Sequence, residues 1–367
     1  MAETTLPVEL IVLILTWLPV KSLIRFTCVS KRFRSIILSD PKFAKSQLRA
    51  AHDRKTLTQR FLYSPTVPEL ESLDLDSPSF DDCSSLRKHK LPLDPADSYA
   101  LPLGSCNGIV FLAFDDNIIY TWNPSTGFLK KLPDPGFSRN GNELILYGVG
   151  YLSATDDYRV FVVSADYEND KEVAMFSSRA KAWKTLEVDF DESCFCSNQG
   201  ILLHEALHWL DTSKEIVAFN LGQEKHKFRK MLLPLDFNDG GGDYYENHLG
   251  VSAGGYLSLA RNLYVCGDCI DIWVMGEYGV LESWNKRFNL KFSDPHNDDI
   301  GWKYNHVLVL ETGVFWNILQ NEEDKCSMYE AEGHWLHMIQ YQESTSDRGL
   351  VLDCSLDNRA GLYGRIL

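Results

Sequence analysis

The chain has 367 residues, long for one domain, and its length suits a small module joined to a large one. Apolar residues make up 44% and charged residues 24%, the proportions of a folded soluble protein, and no run of eighteen apolar residues occurs, so no membrane-spanning helix is expected. The net charge of −15 is unevenly placed: residues 1–60 hold eleven Lys and Arg against four acids, net +7, while the remainder holds 25 against 47, net −22, which argues against nucleic-acid binding through the larger part. Nine scattered cysteines, an odd number with no framework spacing and no secretory signal ahead of them, point to the reducing cytoplasm or nucleus.

The first predicted element is a short helix over Pro7–Leu18: Pro7 suits a first helical position, Glu9 places an acid near the positive helix end, and Pro19 stops it. Val8, Leu10, Ile11, Val12, Leu13, Ile14, Leu15, Trp17 and Leu18 leave almost no polar face, so a core on one side cannot cover them all. The run between the prolines is far below the roughly 20 residues a bilayer needs. Next comes a basic amphipathic unit in which Leu23, Phe26, Val29, Phe33 and Ile36 or Ile37 fall near helical spacing, with Lys21, Arg25, Lys31, Arg32 and Arg34 between them. Asp40-Pro41 supplies a cap and a first-turn proline for one more short helix through Phe43 and Leu48. About forty residues make a thin core, and the surplus aliphatic surface, at about 1.5–3 kcal/mol per buried side chain, suffices to hold a partner.

Leu6-Pro7, Leu10, Ile14-Leu15, Leu18-Pro19, Val20-Lys21-Ser22-Leu23, Arg25-Phe26, Cys28-Val29-Ser30-Lys31 and Asp40-Pro41-Lys42-Phe43 resemble the F-box of plant F-box proteins. The resemblance implies a three-helix motif over 1–48 that docks on a Skp-type adaptor, and through it on the cullin and RING subunit of a ubiquitin ligase. The adaptor-binding residues it implies are Leu6, Pro7, Leu10, Ile14, Leu15, Leu18, Pro19, Leu23 and Val29. Two positions depart from the pattern: Trp17 stands where a polar or small residue is commoner, and Phe33 where the family often has Trp.

Residues 49–100, rich in Ser, Asp and Pro, are expected to be a linker leading into first strands. From 101 to 367 the texture is that of an all-β domain, with β-branched and aromatic runs separated by Asn-Gly, Pro-Ser-Thr-Gly and Gly-Gly turn signals. A loose repeat of strand, polar turn and aromatic recurs at Phe128, Trp183, Phe228, Trp284 and Trp335, with gaps of 55, 45, 56 and 51 residues. Such a period suits the blades of a β-propeller, with five visible and a sixth closed by the 57–100 segment together with Leu350–Leu367; an array of β-sandwiches is the alternative. The fold expected is therefore α+β and multidomain, a small helical module followed by an all-β, propeller-like domain.

The segments SCNGIVFL, WNPSTGFLKKLP, YGVGYLSATDDYRVFVV, ALHWL, IVAFNL and IDIWVMGEYGVLESWNKRF also resemble the F-box-associated domain that follows the F-box in many plant proteins, including kelch-like and S-locus groups. Together the two resemblances imply a substrate receptor of a Skp-cullin-F-box ligase that performs no chemistry itself and needs no cofactor. Acids and aromatics gather in turn-rich stretches: Asp166, Glu168 and Asp170; Asp189, Asp191 and Glu192; Asp294, Asp298 and Asp299; and above all Asp239, Asp243, Tyr244, Tyr245 and Glu246, the candidate target-binding group. Their summed field favours a cationic protein target. The S-locus members, whose targets are basic secreted ribonucleases, point the same way.

Three motifs tempt toward other chemistry. His204-Glu205-Ala206-Leu207-His208 is a literal His-Glu-x-x-His, which on a helix would present two zinc ligands and a base for a hydrolase. The flanking Ile201-Leu202-Leu203 and His208-Trp209-Leu210 read as strands instead, where residues four apart are roughly 13 Å apart. Cys266-Gly267-Asp268-Cys269 lacks a second pair at ribbon spacing and reads as a hairpin turn. Gly240-Gly241-Gly242 and Gly148-Val149-Gly150 read as turns or bulges.

Overall fold

A computed structural model of the chain describes residues 6–54, 56–57, 59–66, 69–74, 86–91, 100–114, 118–137, 143–165, 171–188, 195, 197–212, 215–223, 227–234, 245–252, 254–263, 269–291, 307–309, 315–317 and 338–342.

Four helices open the fold: α1 (Val8–Thr16), α2 (Val20–Phe26), α3 (Lys31–Ser39) and α4 (Pro41–Asp53). The expectation of three is corrected because the turn at 27–29 divides the basic unit, and Ser30 then caps α3, its Oγ accepting from the Phe33 N–H at 3.1 Å. Asp40 caps α4 by accepting from the Lys42 N–H at 2.9 Å, with Pro41 in the first turn as expected. α4 runs to Asp53, five residues past the boundary expected at 48. The four helices share a small core of Leu15, Leu23, Ile37 and Phe43, flanked by Ile11, Leu18, Phe26 and Phe33. Phe33 packs its ring edge-on to Phe26 with centroids 5.8 Å apart, so a plug smaller than Trp still closes that side.

The rest of the described chain is β apart from connecting segments and one 3-10 turn, Leu281–Ser283. Sheet 1 comprises β1 (Gln59–Thr66), β2 (Glu69–Asp74) and β3 (Leu86–His89), with the late strand β22 (Met338–Gln342) on the free side of β1. Sheet 2 holds β4 (Leu101–Cys106), β5 (Ile109–Phe114), β6 (Ile118–Trp122) and β7 (Leu129–Lys131). Sheet 3 holds β8 (Glu143–Leu152), β9 (Asp157–Ala165), β10 (Lys171–Ser177) and β11 (Ala182–Thr185). Sheet 4 holds β12 (Ile201–Leu203), β13 (Ala206–Leu210), β14 (Glu215–Asn220) and β15 (Phe228–Leu232). Sheet 5 holds β16 (Tyr245–Val251), β17 (Leu257–Leu263), β18 (Cys269–Met275) and β19 (Trp284–Lys291), and a further hairpin pairs β20 (Val307–Val309) with β21 (Phe315–Asn317).

Each four-stranded sheet is antiparallel, and sheets 2, 3 and 4 are covered on both faces by their neighbours, as propeller blades require. β5 shows the cause in sequence: its run IVFLAF is apolar throughout because Val110 and Leu112 pack toward Leu62 and Leu70 of sheet 1, while Ile109, Phe111 and Ala113 pack toward Tyr147, Val149 and Val160 of sheet 3. β9 splits likewise, Val160 and Val162 facing sheet 2 and Phe161 and Val163 facing Leu207, Trp209 and Phe219 of sheet 4. Leu210 and Ile216 then meet Leu257, Leu259 and Trp284 of sheet 5. β22 packs on β4, β4 on β8, β8 on β12 and β12 on β16, which makes them the inner strands of the propeller. Gly148 lies inside β8 rather than in a turn or bulge, and a Cβ there would sit 2.7 Å from the Leu207 side chain, so that glycine permits close blade packing.

The early segment shares its sheet with a late strand, Met338–Gln342 pairing with β1, while the expected closing segment Leu350–Leu367 and Trp335 lie outside the described residues. The sequence repeat marks the fourth strand of sheets 2 to 5: Phe128 precedes β7, Trp183 lies in β11, Phe228 opens β15 and Trp284 opens β19. The two tryptophans act between blades, the Trp183 Nε1–H donating to the Pro133 carbonyl at 2.7 Å and the Trp284 Nε1–H to the Leu232 carbonyl at 3.3 Å. Each therefore pins its blade to the end of the preceding one.

Candidate functional site

Every third or fourth residue of α1 falls on one of two opposed apolar faces. Ile11, Leu15 and Leu18 turn into the helical core. Leu10, Leu13, Ile14 and Trp17, spaced i, i+3, i+4 and i+7, form the other stripe, and they are 46%, 56%, 54% and 65% exposed. Leu6, Val8 and Val29 are exposed too, so seven of the eleven exposed large apolar residues among those described lie between residues 6 and 29. Scattered exposed aliphatics need no explanation, but such a concentration on one small module marks a contact surface.

Of the nine expected adaptor residues, Leu6, Pro7, Leu10, Ile14, Pro19 and Val29 are exposed. Leu15 and Leu23 are instead buried, 2% and 0% exposed, and Leu18 packs beside them, because 11, 15 and 18 form the inward stripe of α1 and Leu23 the inward side of α2. Those three support the surface from beneath. Leu13 and Trp17 are the residues missed, although the spacing from Leu10 could have found them.

The C-terminal end of α1 is tied to α4. Arg54 donates from Nε to the Ala50 carbonyl at 2.9 Å and from Nη2 to the Thr16 carbonyl at 3.0 Å, and its guanidinium lies 4.3 Å from the Trp17 ring centroid. Gln47 reaches the Leu18 carbonyl at 3.4 Å.

α4 also meets the propeller. Lys45 pairs with Asp156 in the β8–β9 turn, where the Tyr151 hydroxyl donates to the same carboxylate at 2.7 Å. The Lys45 and Tyr151 hydrogen bonds hold the Asp156 carboxyl below the usual range. Contacts between neighbouring blades bring their equivalent turns to this same end: Asn107 Nδ2 with the Tyr158 hydroxyl at 3.3 Å, the Ser153 N–H and Oγ with Glu205 at 3.0 and 3.1 Å, and the His204 ring with Tyr278 at 5.0 Å.

The acid-rich stretches give a different picture. Asp239, Asp243 and Tyr244 lie outside the described residues, as do Asp166, Glu168, Asp170, Asp189, Asp191, Glu192, Asp294, Asp298, Asp299 and Gly240–Gly242. Tyr245 and Glu246 open β16 and pair with Leu263 and Asn262, which corrects their assignment to a loop. The described strand ends flanking these stretches are Ala165 and Lys171, Thr185 and Ile201, Leu232 and Tyr245, and Lys291. By the antiparallel registers, all of them lie at the blade end opposite the one that meets Lys45.

The His-Glu-x-x-His sequence folds as the hairpin that its flanking strands predict, and the alternative zinc hydrolase reading has no helix to bring its two histidines onto one face. His204 and Glu205 are the two turn residues between β12 and β13, at φ 50° and 59°, the conformation that an Asn-Gly pair adopts at Asn107-Gly108. His208 points into the core instead, 0% exposed, with Nδ1 3.1 Å from the Ile201 carbonyl and Nε2 2.6 Å from the Tyr278 hydroxyl. Both ring nitrogens are occupied, and Glu205 clips Ser153 of the preceding blade. Cys269 opens β18 opposite β17, so its Cys-x-x-Cys unit spans a hairpin connection, of which 266–268 lie outside the described residues.

Burial sets the pH response. Desolvation pushes His208 down to about 4, and burial beside Arg87 and Arg60 does the same to His89, whose Nε2 lies 2.7 Å from Ser72 Oγ. Both rings are depressed in the folded state, so the unfolded chain binds more protons between about pH 6.5 and 4, and the stability they contribute is present above that window and lost as pH falls through it. Between pH 7 and 5.5 the loss should be about 1 kcal/mol per ring, or about 2 kcal/mol together. Urea unfolding at the two pH values should show it, and His208→Asn should remove roughly half. An unchanged midpoint would contradict the assignment of both rings as buried and neutral.

The sequence matches the F-box domain over residues 4–45 and the F-box associated beta propeller domain over residues 71–355. Among curated proteins it is 29% identical over 299 residues to an F-box/kelch-repeat protein of Arabidopsis thaliana, covering 78% of this chain and 79% of that one. It is 28% identical over 317 residues to the F-box protein CPR1 of the same plant, covering 78% and 73%. Among solved structures, the N-terminal domain of Nup159 overlaps with a TM-score of 0.35 at 12% identity over 77% of this chain and 73% of that one. With the F-box match on the helical module and the propeller match on the blades that follow it, the chain belongs to the plant F-box proteins that carry an F-box-associated β-propeller domain.

Proposed function

We propose that the chain is the substrate-recognition subunit of a Skp-cullin-F-box ubiquitin ligase. The observation that carries this reading is the exposed stripe Leu10, Leu13, Ile14 and Trp17 on a helix whose other side already fills its own core. That surface, extended by Leu6, Pro7, Pro19 and Val29, takes the Skp-type adaptor, and the propeller takes the target. The chain supplies no reacting group; it raises the effective concentration of a target lysine near a charged conjugating enzyme. Its place is the cytoplasm or nucleus. Affinity purification of the full chain should bring down a Skp-type adaptor with cullin. Recovery of propeller partners without any adaptor would favour a scaffold outside a ligase.

The net +7 of residues 1–60 favours an acidic adaptor surface. Exposed charges steer encounter more than they hold complexes, so raising salt should slow association more than it speeds dissociation. Equal association rates at low and high ionic strength would remove that role.

For the target we infer a cationic protein. The net charge of −22 beyond residue 60 supports it, as does the placement of the flanking strand ends, which puts the attachments of all the acid-rich stretches at the end away from α4. Neutralising Asp239, Asp243 and Glu246 together should weaken target binding several-fold and flatten its salt dependence, with adaptor binding unchanged. An acidic target, or normal binding by the triple variant, would overturn the site while leaving the receptor assignment intact.

A further inference from the structure

Within the proposed adaptor surface, which this inference presupposes, we propose that Trp17 and Arg54 form a composite specificity contact, selecting a Skp-type adaptor that offers an apolar shelf for the indole beside a carboxylate for the guanidinium. Trp17 is the most exposed residue of the α1 stripe at 65%, yet it is held in place. Arg54 covers its ring at 4.3 Å, and Arg54 is itself fixed by carbonyl bonds of 2.9 and 3.0 Å to Ala50 and Thr16. Those bonds use two of its five donors, so others remain for a carboxylate. A large aromatic ordered before binding loses little entropy on docking, and Trp and Arg are the residues that most often dominate interfaces.

Continuity and charge identify the occupant. Trp17 lies one turn beyond Leu13 on the same stripe, so a partner covering Leu10, Leu13 and Ile14 reaches it. The module around it is basic, with Lys21, Arg25 and Arg54 near the α1–α2 junction. A chain carrying a small residue at 17 would keep the aliphatic stripe but lack the ring and leave Arg54 unbuttressed. The pair therefore sets which adaptor is preferred, and the aliphatic residues set that one is bound at all.

The test measures affinities of the full chain, with Trp17→Ser, Arg54→Gln and Leu10→Asp variants, for a panel of purified Skp-type adaptors from one plant. The unaltered chain should discriminate among them by tenfold or more. Trp17→Ser should weaken the preferred adaptor about 30-fold and the poorest by less than threefold, with an unchanged melting temperature. Arg54→Gln should lose a smaller share of the same discrimination, together with its salt dependence. Equal loss across the panel, or no loss, for Trp17→Ser would overturn the proposal while Leu10→Asp still abolishes binding. If Leu10→Asp also binds normally, the adaptor surface itself is wrongly placed.

Discussion

Leu10→Asp or Ile14→Asp is expected to abolish adaptor binding, by at least about 100-fold, and to leave the propeller folded. Both side chains are about half exposed in the chain alone, so a carboxylate at either position stays in water and costs the fold little. In the complex the same carboxylate would be covered by an apolar partner surface without a counter-charge. An uncompensated buried charge costs several kcal/mol, and each 1.4 kcal/mol is a factor of ten in affinity. Leu15→Asp makes the contrast: Leu15 is 2% exposed in the helical core, so that variant should unfold the module rather than spoil a surface. Pull-down with a Skp-type adaptor, alongside circular dichroism of each variant, separates the two. Adaptor retained by both Leu10→Asp and Ile14→Asp would show that this face of α1 is not the docking surface.

The sequence made the helical module legible because its signals are local. Pro7, Pro19 and Asp40-Pro41 bound the helices where the structure has them, and an apolar run without a polar face pointed to something beyond a single core. Which apolar residues face outward was harder, since 10, 13, 14 and 17 read the same as 11, 15 and 18 until the core side is known. The repeat at Phe128, Trp183, Phe228 and Trp284 was legible because it recurs at the outer strand of successive blades, where Trp183, Phe228 and Trp284 meet the preceding blade. The partner of β1 was not, because β22 pairs with it across nearly the whole chain and no local signal marks Met338–Gln342 for that role. Tyr245 and Glu246 misled for a related reason: polar residues beside glycines read as loop, and only pairing with Leu263 and Asn262 draws them into β16.

Two adjacent acids in the β8–β9 segment should respond very differently to replacement, and Asp157 carries the larger effect on stability. Asp156 is exposed and paired with Lys45, an arrangement worth about 0–1 kcal/mol, so Asp156→Asn should scarcely move the unfolding midpoint. Asp157 is 1% exposed and opens β9 beneath the β10–β11 turn. Its carboxylate accepts from Ser177 Oγ at 2.8 and 3.0 Å, from Ser178 Oγ at 3.0 Å and from the Arg179 N–H at 2.9 Å, with Arg159 Nε at 2.7 Å as its ion-pair partner. Ser177 and Ser178 in turn accept from the Ala180 and Tyr158 N–H groups at 3.0 and 2.8 Å, so the acid organises a whole blade corner. Asp157→Ala leaves those donors and one cation without the group that satisfied them, at a cost of about 3–5 kcal/mol. Asp157→Asn keeps the shape and part of the hydrogen bonding and should cost about half as much. For a propeller of this size the alanine variant should melt roughly 10 °C lower. Because Lys45 bonds to Asp156 and not to Asp157, adaptor affinity measured below that temperature should be unaltered. Equal midpoints for Asp156→Asn and Asp157→Ala would mean that the buried carboxylate is not the organising group of this corner.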